Sequence, residues 1–366
     1  MKDAPPARSI VKGTQLKRAR ELLLLTPEEV SAEIDIPSHQ ILSWELEKSH
    51  PTLRQLEDLA RIYEREIDYF LRDTPAPPKA IEFRGRPGQS LSALPITAKA
   101  MLAKVDELCR TALELESLLN IDHESKLPSV RKTDSPKEIA NAIRGNLLAK
   151  DKPIPDLKDR LDNLGIRIFE LAIPDDAFSG FSFRNADYGP CILLNAREIK
   201  GRRNFTLAHE LAHLICGHGS SICYIPLKPR EVGADSEVAA NRFAVELLLP
   251  ETGMVRDFAS RGITRKPTLE ELKRMSYKWG VSVQALGYRL ESLNLSEKGI
   301  TDRIRETKPE HIWRPKAPKW ERQLGKGYVK TAIESYNKNL ISVGRLAHAL
   351  QIPIRNAMKL VEGQEK

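Results

Sequence analysis

The reading turns on Arg203 to Ile215, RNFTLAHELAHLI, taken together with Asp235 to Pro250, DSEVAANRFAVELLLP. In the first stretch the apolar residues recur at helical spacing, so His209 and His213, four apart, project from one face one turn apart. Two imidazoles so placed can grip a single metal ion. Glu210 follows His209, where a carboxylate reaches water at the metal without ligating it, the position of a general base. A two-histidine site needs a third protein ligand. A histidine six residues after His213 would serve, but that position is Gly219, and His218 falls one residue short. The second stretch offers Glu237 on a helix that Asp235 can cap, with Asn241 one turn further on the same face, placed to hydrogen-bond a ligand. Two histidines, a glutamate and an open position make a catalytic zinc site, which manganese could also fill. Ile166–Leu171 and Cys191–Leu194 are short β-rich runs ahead of the helix. The second of these is expected to be an edge against which an extended peptide aligns. Tyr224 is a candidate oxyanion donor and Tyr188 a second. Cys216 and Cys223 read as free thiols, with competition for metal as the alternative.

FTLAHELAHL followed by EVAANRFAVELLLP resembles the ImmA/IrrE family of metallopeptidases, found beside or fused to Xre-like repressors in phages and bacteria. The resemblance runs over about residues 155–295. It takes in Gly180-Phe181-Ser182, the strand end Leu194-Asn195, Trp279 to Leu286 (WGVSVQAL) and Tyr288-Arg289-Leu290. It implies zinc ligands at His209, His213 and Glu237, a catalytic Glu210, and cleavage of a repressor under stress or during mobile-element induction.

Toward the N-terminus, Thr26-Pro27-Glu28-Glu29 is a capping box with proline at the first helical position, so a helix starts at Pro27. Asp35-Ile36-Pro37 breaks it. Ser38 is then expected to cap a second helix that turns Ile41 and Trp44 inward and Ser38, His39, Gln40 and Ser43 outward. Two short helices and a tight turn are the geometry of a helix-turn-helix. TPEEVSAEIDIPSHQILSWELEKSHPTLRQLEDLARIYEREIDYFL resembles the Xre family of such domains, with Ser31, Asp35 and Pro27 as departures where Ala, Gly and Gln are usual. The resemblance implies an operator read by Ser38, His39, Gln40 and Ser43, with Lys17, Arg18, Arg20 and Lys48 on phosphates. The alternative is a small helical domain that docks protein partners.

The 366 residues are 41% hydrophobic and 30% charged, a globular composition with room for two or three domains. No apolar run is long enough to span a membrane, MKDAPPARS carries no secretion signal, and four cysteines make no disulfide framework, so a cytoplasmic protein is expected. The net charge of +8 suggests nucleic acid, but it is unevenly placed. Residues 9–72 hold nine Lys+Arg against 12 acids, whereas residues 251–366 hold 23 against 13. If DNA is held strongly, the C-terminal third should help to hold it. Arg303 to Lys330, with Trp313, Trp320 and Tyr328 among its cations, is either a nucleic-acid clasp or a solvated linker. Residues 340–361 (LISVGRLAHALQIPIRNAMKLV) form a last helical pair with a fainter resemblance to a helix-turn-helix.

Between these ends, Ala98, Met101, Val105, Leu108, Ala112, Leu115 and Leu119 form a heptad seam, for a homodimer or for packing on the same chain. Ser135-Pro136-Lys137-Glu138 and Thr268-Leu269-Glu270-Glu271 are further capping boxes.

The expected fold is mostly α with a small β-sheet. It comprises an all-α helix-turn-helix domain at 9–73, a helical linker at 79–150, a zincin-like metallopeptidase domain at 151–295 and a basic helical region at 296–366. The expected function is a DNA-associated regulator whose zinc endopeptidase domain cleaves a repressor, or itself. The alternative is a non-proteolytic DNA-binding repressor, or antitoxin-like protein, with a sensory or structural zinc.

Overall fold

A computed structural model describes residues 11–23, 25–63, 65, 67–71, 96–122, 124–128, 130–131, 133–173, 178–216, 221–223, 235–262, 266–307 and 320–362. The chain divides into two compact units, Met1–Leu108 and Cys109–Lys366.

The first unit contains α1 (Gly13–Leu22), α2 (Pro27–Ile34), α3 (Ser38–Glu45), α4 (Leu53–Ile62) and a 3-10 turn at Ile67–Leu71. Thr26 accepts from the Glu29 amide while Glu29 accepts from that of Thr26, the expected capping box, and α2 stops where Asp35 adopts the left-handed conformation. Ser38 does not cap α3. Pro37 holds that position without a side-chain bond, and Ser38 is already helical, because the proline's fixed φ starts the helix one residue earlier. Leu16, Val30, Ile41, Trp44, Leu59 and Phe70 meet in the core.

Helix α5 (Ile96–Leu118) begins in the first unit and ends in the second. Its seam is buried within the chain: Ala98, Met101, Val105, Leu108, Ala112 and Leu115 are all inaccessible. Lys99, Leu102, Asp106, Cys109 and Glu116 are buried too, whereas Leu113, Glu114, Ser117 and Leu118 are exposed and the last seam residue, Leu119, is half-buried, so the seam up to Leu115 packs within the chain.

The second unit contains α6 (Pro136–Asn146), α7 (Leu157–Asp162), β1 (Arg167–Leu171), β2 (Gly180–Asn185), β3 (Gly189–Asn195), α8 (Lys200–Cys216), β4 (Ser221–Cys223) and α9 (Asp235–Leu248). Helices α10 (Glu251–Ser260), α11 (Leu269–Trp279), α12 (Val283–Ser292), α13 (Ile300–Thr307), α14 (Trp320–Leu324), α15 (Lys326–Asn337), α16 (Val343–Leu350) and α17 (Ile354–Glu362) follow. The sheet order is β1-β3-β2-β4, with β1 parallel to β3 and the other pairs antiparallel. Strand β3 is therefore paired on both sides and is not the edge expected of Cys191–Leu194; β1 and β4 are the edges. Capping boxes at Ser135 and Thr268 start α6 and α11 as their sequences require.

Packed between the sheet and α9, α8 turns Leu207, Ala208, Leu211 and Ala212 into one core with Phe243, Ala244 and Leu247. That core also takes Ile139, Ala140 and Ile143 from α6. Two arginines hold the C-terminal carbonyls of α9, which have no partner within the helix. Arg144 donates to Leu247 O and to the carbonyls of Lys150 and Lys152, and Arg289 Nε donates to Leu249 O at 2.9 Å. Burial pushes the Arg144 guanidinium down to about 10, so it stays charged at neutral pH. No helix among the described residues is long and apolar enough to cross a membrane.

Candidate metal centre

Helical spacing brings His209 and His213 to one face of α8, and α9 crosses that face with Glu237 in its first turn. His209 Nε2 lies 3.2 Å from Glu237 Oε2, His213 Nε2 lies 3.2 Å from Glu237 Oε1, and the two Nε2 atoms are 3.0 Å apart. One ligand atom from each residue falls within 4.8 Å of the others. Both histidines are buried and Glu237 is half-buried, so the cluster is open on the glutamate side. Two neutral nitrogens and one carboxylate oxygen converging on a point fit a divalent cation.

The position one turn after Glu237 holds Asn241, as the sequence spacing requires. His209 Nδ1 donates to Asn241 Oδ1 at 3.0 Å, which leaves Nε2 for the cluster. Burial works against a charged His209. The hydrogen bond to Glu237 and the charges of Glu210 and Glu237 outweigh that effect and raise its pKa. Burial likewise opposes the Glu237 charge, but hydrogen bonds from both histidines hold its carboxyl well below the usual carboxylate range. Four titratable side chains thus share this corner of the core, as at sites where ionisation has a task.

Glu210 lies on α8 between the two histidines and is wholly buried. Ser182 Oγ on β2 donates to Glu210 Oε2 at 2.6 Å. That bond requires β2 to run close to α8, and Gly180 permits it: a Cβ there would sit 2.7 Å from Thr206 Cγ2 and 2.8 Å from Leu193 O. Sequence reading assigns no task to Ser182, because nothing local links it to Glu210; the sheet register does.

Tyr188 is 2% exposed and packs edge-on against Phe183, so it is a core residue rather than an oxyanion donor. Cys216 is a free thiol whose pKa burial raises, which keeps it neutral. Tyr224, His218 and Gly219 lie outside the described residues, as does the side chain of Cys223.

In the first unit, α3 presents His39 to solvent and leaves Ser38, Gln40 and Ser43 half-buried, with Ser43 Oγ 2.8 Å from Ser49 Oγ. Lys17 is exposed but faces Glu21 at 3.8 Å; Lys48 is exposed and Arg18 half-buried. Arg20 does not reach a phosphate. It is buried, pairs with both carboxylate oxygens of Glu45 at 2.6 and 2.8 Å and donates to Leu25 O, tying α1 to the end of α3. A buried guanidinium needs such a partner, which explains the glutamate at the end of α3.

Residues 161–291 match the family model described as IrrE N-terminal-like domain (Peptidase_M78), and residues 16–70 match that described as Helix-turn-helix (HTH_3). Comparison with curated proteins gives no match.

Proposed function

We propose that this chain, a helix-turn-helix domain joined to an IrrE N-terminal-like domain of a peptidase family, is a cytoplasmic, DNA-associated regulator. Its second unit is a metal-dependent endopeptidase that cuts a repressor-type protein or the chain itself, in a stress or mobile-element response. The observation that carries this reading is the convergence of His209, His213 and Glu237 beside a buried Glu210.

His209, His213 and Glu237 would hold a divalent cation, zinc by donor set or manganese. Such an ion supplies Lewis-acid activation of water and of a peptide carbonyl. Asn241 fixes the His209 ring so that Nε2 faces the site. Glu210 accepts the proton of the attacking water and returns it to the departing amide nitrogen as the peptide bond breaks. Ser182 holds the Glu210 carboxylate in place for both transfers. In the first unit, His39 and Gln40 on α3 contact base edges, and Lys17, Arg18 and Lys48 contact phosphates.

The test incubates the zinc-loaded chain with any repressor-type protein encoded beside it, and alone, against the Glu210→Gln variant. Cleavage by wild type that falls about 10²–10⁴-fold in the variant supports the reading. Equal cleavage by both, or none by either, contradicts it and favours a non-proteolytic DNA-binding regulator with a structural or sensory metal.

A further inference from the structure

The last two helices repeat the backbone of the helix-turn-helix in the first unit. Helix α2 is eight residues long; Thr26 caps it by accepting from the amide three residues on, and Asp35 closes it at φ 53°, ψ 43°. Helix α16 is also eight residues long; Ser342 caps it by accepting from the Arg345 amide, and Gln351 closes it at φ 52°, ψ 40°. Each left-handed residue is followed by Ile-Pro, Ile36-Pro37 and Ile352-Pro353, and then at once by a helix, α3 or α17. The inward positions correspond too. Val30 and Leu346 are both wholly buried, and Ile41 and Ala357, each four residues after its proline, are at 2% and 0%.

This correspondence gives α17 the place of a recognition helix. Ala357 is its only buried residue among those described, Leu360 and Val361 are half-buried, and the other residues of α17 are exposed. Arg355, Asn356 and Lys359 stand where α3 has His39, Gln40 and Ser43, and all three are exposed. Neither Arg355 nor Lys359 has an ion-pair partner among the described residues. Arginine recognises guanine and asparagine adenine through paired hydrogen bonds in the major groove, and exposed Ile354 and Met358 suit thymine methyls. Charge points the same way. Residues 326–362 carry six Lys+Arg against two acids, whereas the helix-turn-helix at 9–72 is net acidic. The pair is firmly seated: Tyr328 Oη on α15 donates to Ala349 O at 2.8 Å, and its ring meets Phe169 of β1 edge-on at 5.9 Å.

We propose that α16 and α17 form a second, basic helix-turn-helix that binds duplex DNA through the exposed face of α17, with Arg355, Asn356 and Lys359 as its contacts. Most of the phosphate affinity of the chain then comes from this C-terminal element rather than from the acidic N-terminal one.

The test uses the full chain and a short fluorescein-labelled duplex of mixed sequence, with binding followed by anisotropy across a salt series. Wild type is expected to bind with a steep salt dependence. Arg355→Gln with Lys359→Gln should weaken binding at least tenfold and lower the slope of log K against log salt by about two. His39→Ala with Gln40→Ala should leave that slope unchanged and alter only sequence preference, which separates this element from the one at residues 26–45. The substituted side chains are exposed, so an unchanged thermal unfolding curve is expected alongside. Unchanged affinity and slope in the Arg355/Lys359 variant overturns the proposal. So does the absence of salt-dependent duplex binding by wild type, or equal binding of single-stranded RNA with the same slope.

Discussion

A carboxylate at zero exposure needs donors close by, and Ser182 Oγ supplies one to Glu210. Ser182→Ala is expected to destabilise the second unit by about 1–3 kcal/mol and to cut kcat/KM about 10–100-fold, with Ser182→Thr restoring much of both; denaturation and peptide hydrolysis check this. The proposed ligand residues separate from the proposed base by a different measurement. Glu237→Gln should lose tightly bound zinc, Asn241→Ala should bind it about 10–100-fold more weakly, and Glu210→Gln should keep one equivalent, as read by metal analysis after dialysis. Loss of zinc in Glu210→Gln with retention in Glu237→Gln would reverse the assignment. In the first unit, Arg20→Met should leave the Glu45 charge buried alone and cost about 3–5 kcal/mol in unfolding experiments, without changing the salt slope of DNA binding.

Elements place these residues, and how much of the placement is legible depends on how far apart in sequence the partners lie. His209, Glu210 and His213 share one helix, so a period of 3.6 residues suffices to put the histidines together. Glu237 and Asn241 share another, and the same arithmetic aligns them. Ser182 is beyond such reasoning, because a sheet register and the glycine at 180 bring it to Glu210. The pairing of β3 on both sides is equally non-local, which is why an apolar run taken for an edge proves central. Arg20 looks like a phosphate contact until α3 supplies Glu45. The ends of α9 and α10 show the same dependence on distant partners. Arg144→Ala would strip donors from the carbonyls of Leu247, Lys150 and Lys152, and a loss of about 3–5 kcal/mol is expected in denaturation. Asp257 on α10 is buried, and burial alone would raise its pKa. Bonds from Lys278, Trp279 and Arg261 lower it overall. A depressed carboxylate stabilises the fold above its unfolded value of about 3.8, and this contribution is lost as pH falls below that value toward the folded one. Unfolding free energy should therefore drop more steeply below about pH 4 in wild type than in Asp257→Asn.

At the scale of the whole chain, a net charge of +8 is a poor guide until it is divided. The helix-turn-helix that matches a family model is acidic, the centre with the metal-binding geometry is close to neutral, and the excess lies in the C-terminal third. On the proposed reading, affinity for DNA and the capacity to cut a protein would reside in different stretches and could be removed separately. Arg355→Gln with Lys359→Gln should leave peptide hydrolysis at the wild-type rate, and Glu210→Gln should leave DNA binding intact. The central claim is that His209, His213, Glu237 and Glu210 make a peptidase, and its most direct test is indifferent to the natural substrate. A peptide library from a whole-cell digest is exposed to the zinc-loaded full chain and to Glu210→Gln with equal metal content, and new termini are counted by mass spectrometry. The account predicts termini that appear with wild type and vanish with Glu210→Gln; the same termini from both proteins, or none from wild type, would contradict it.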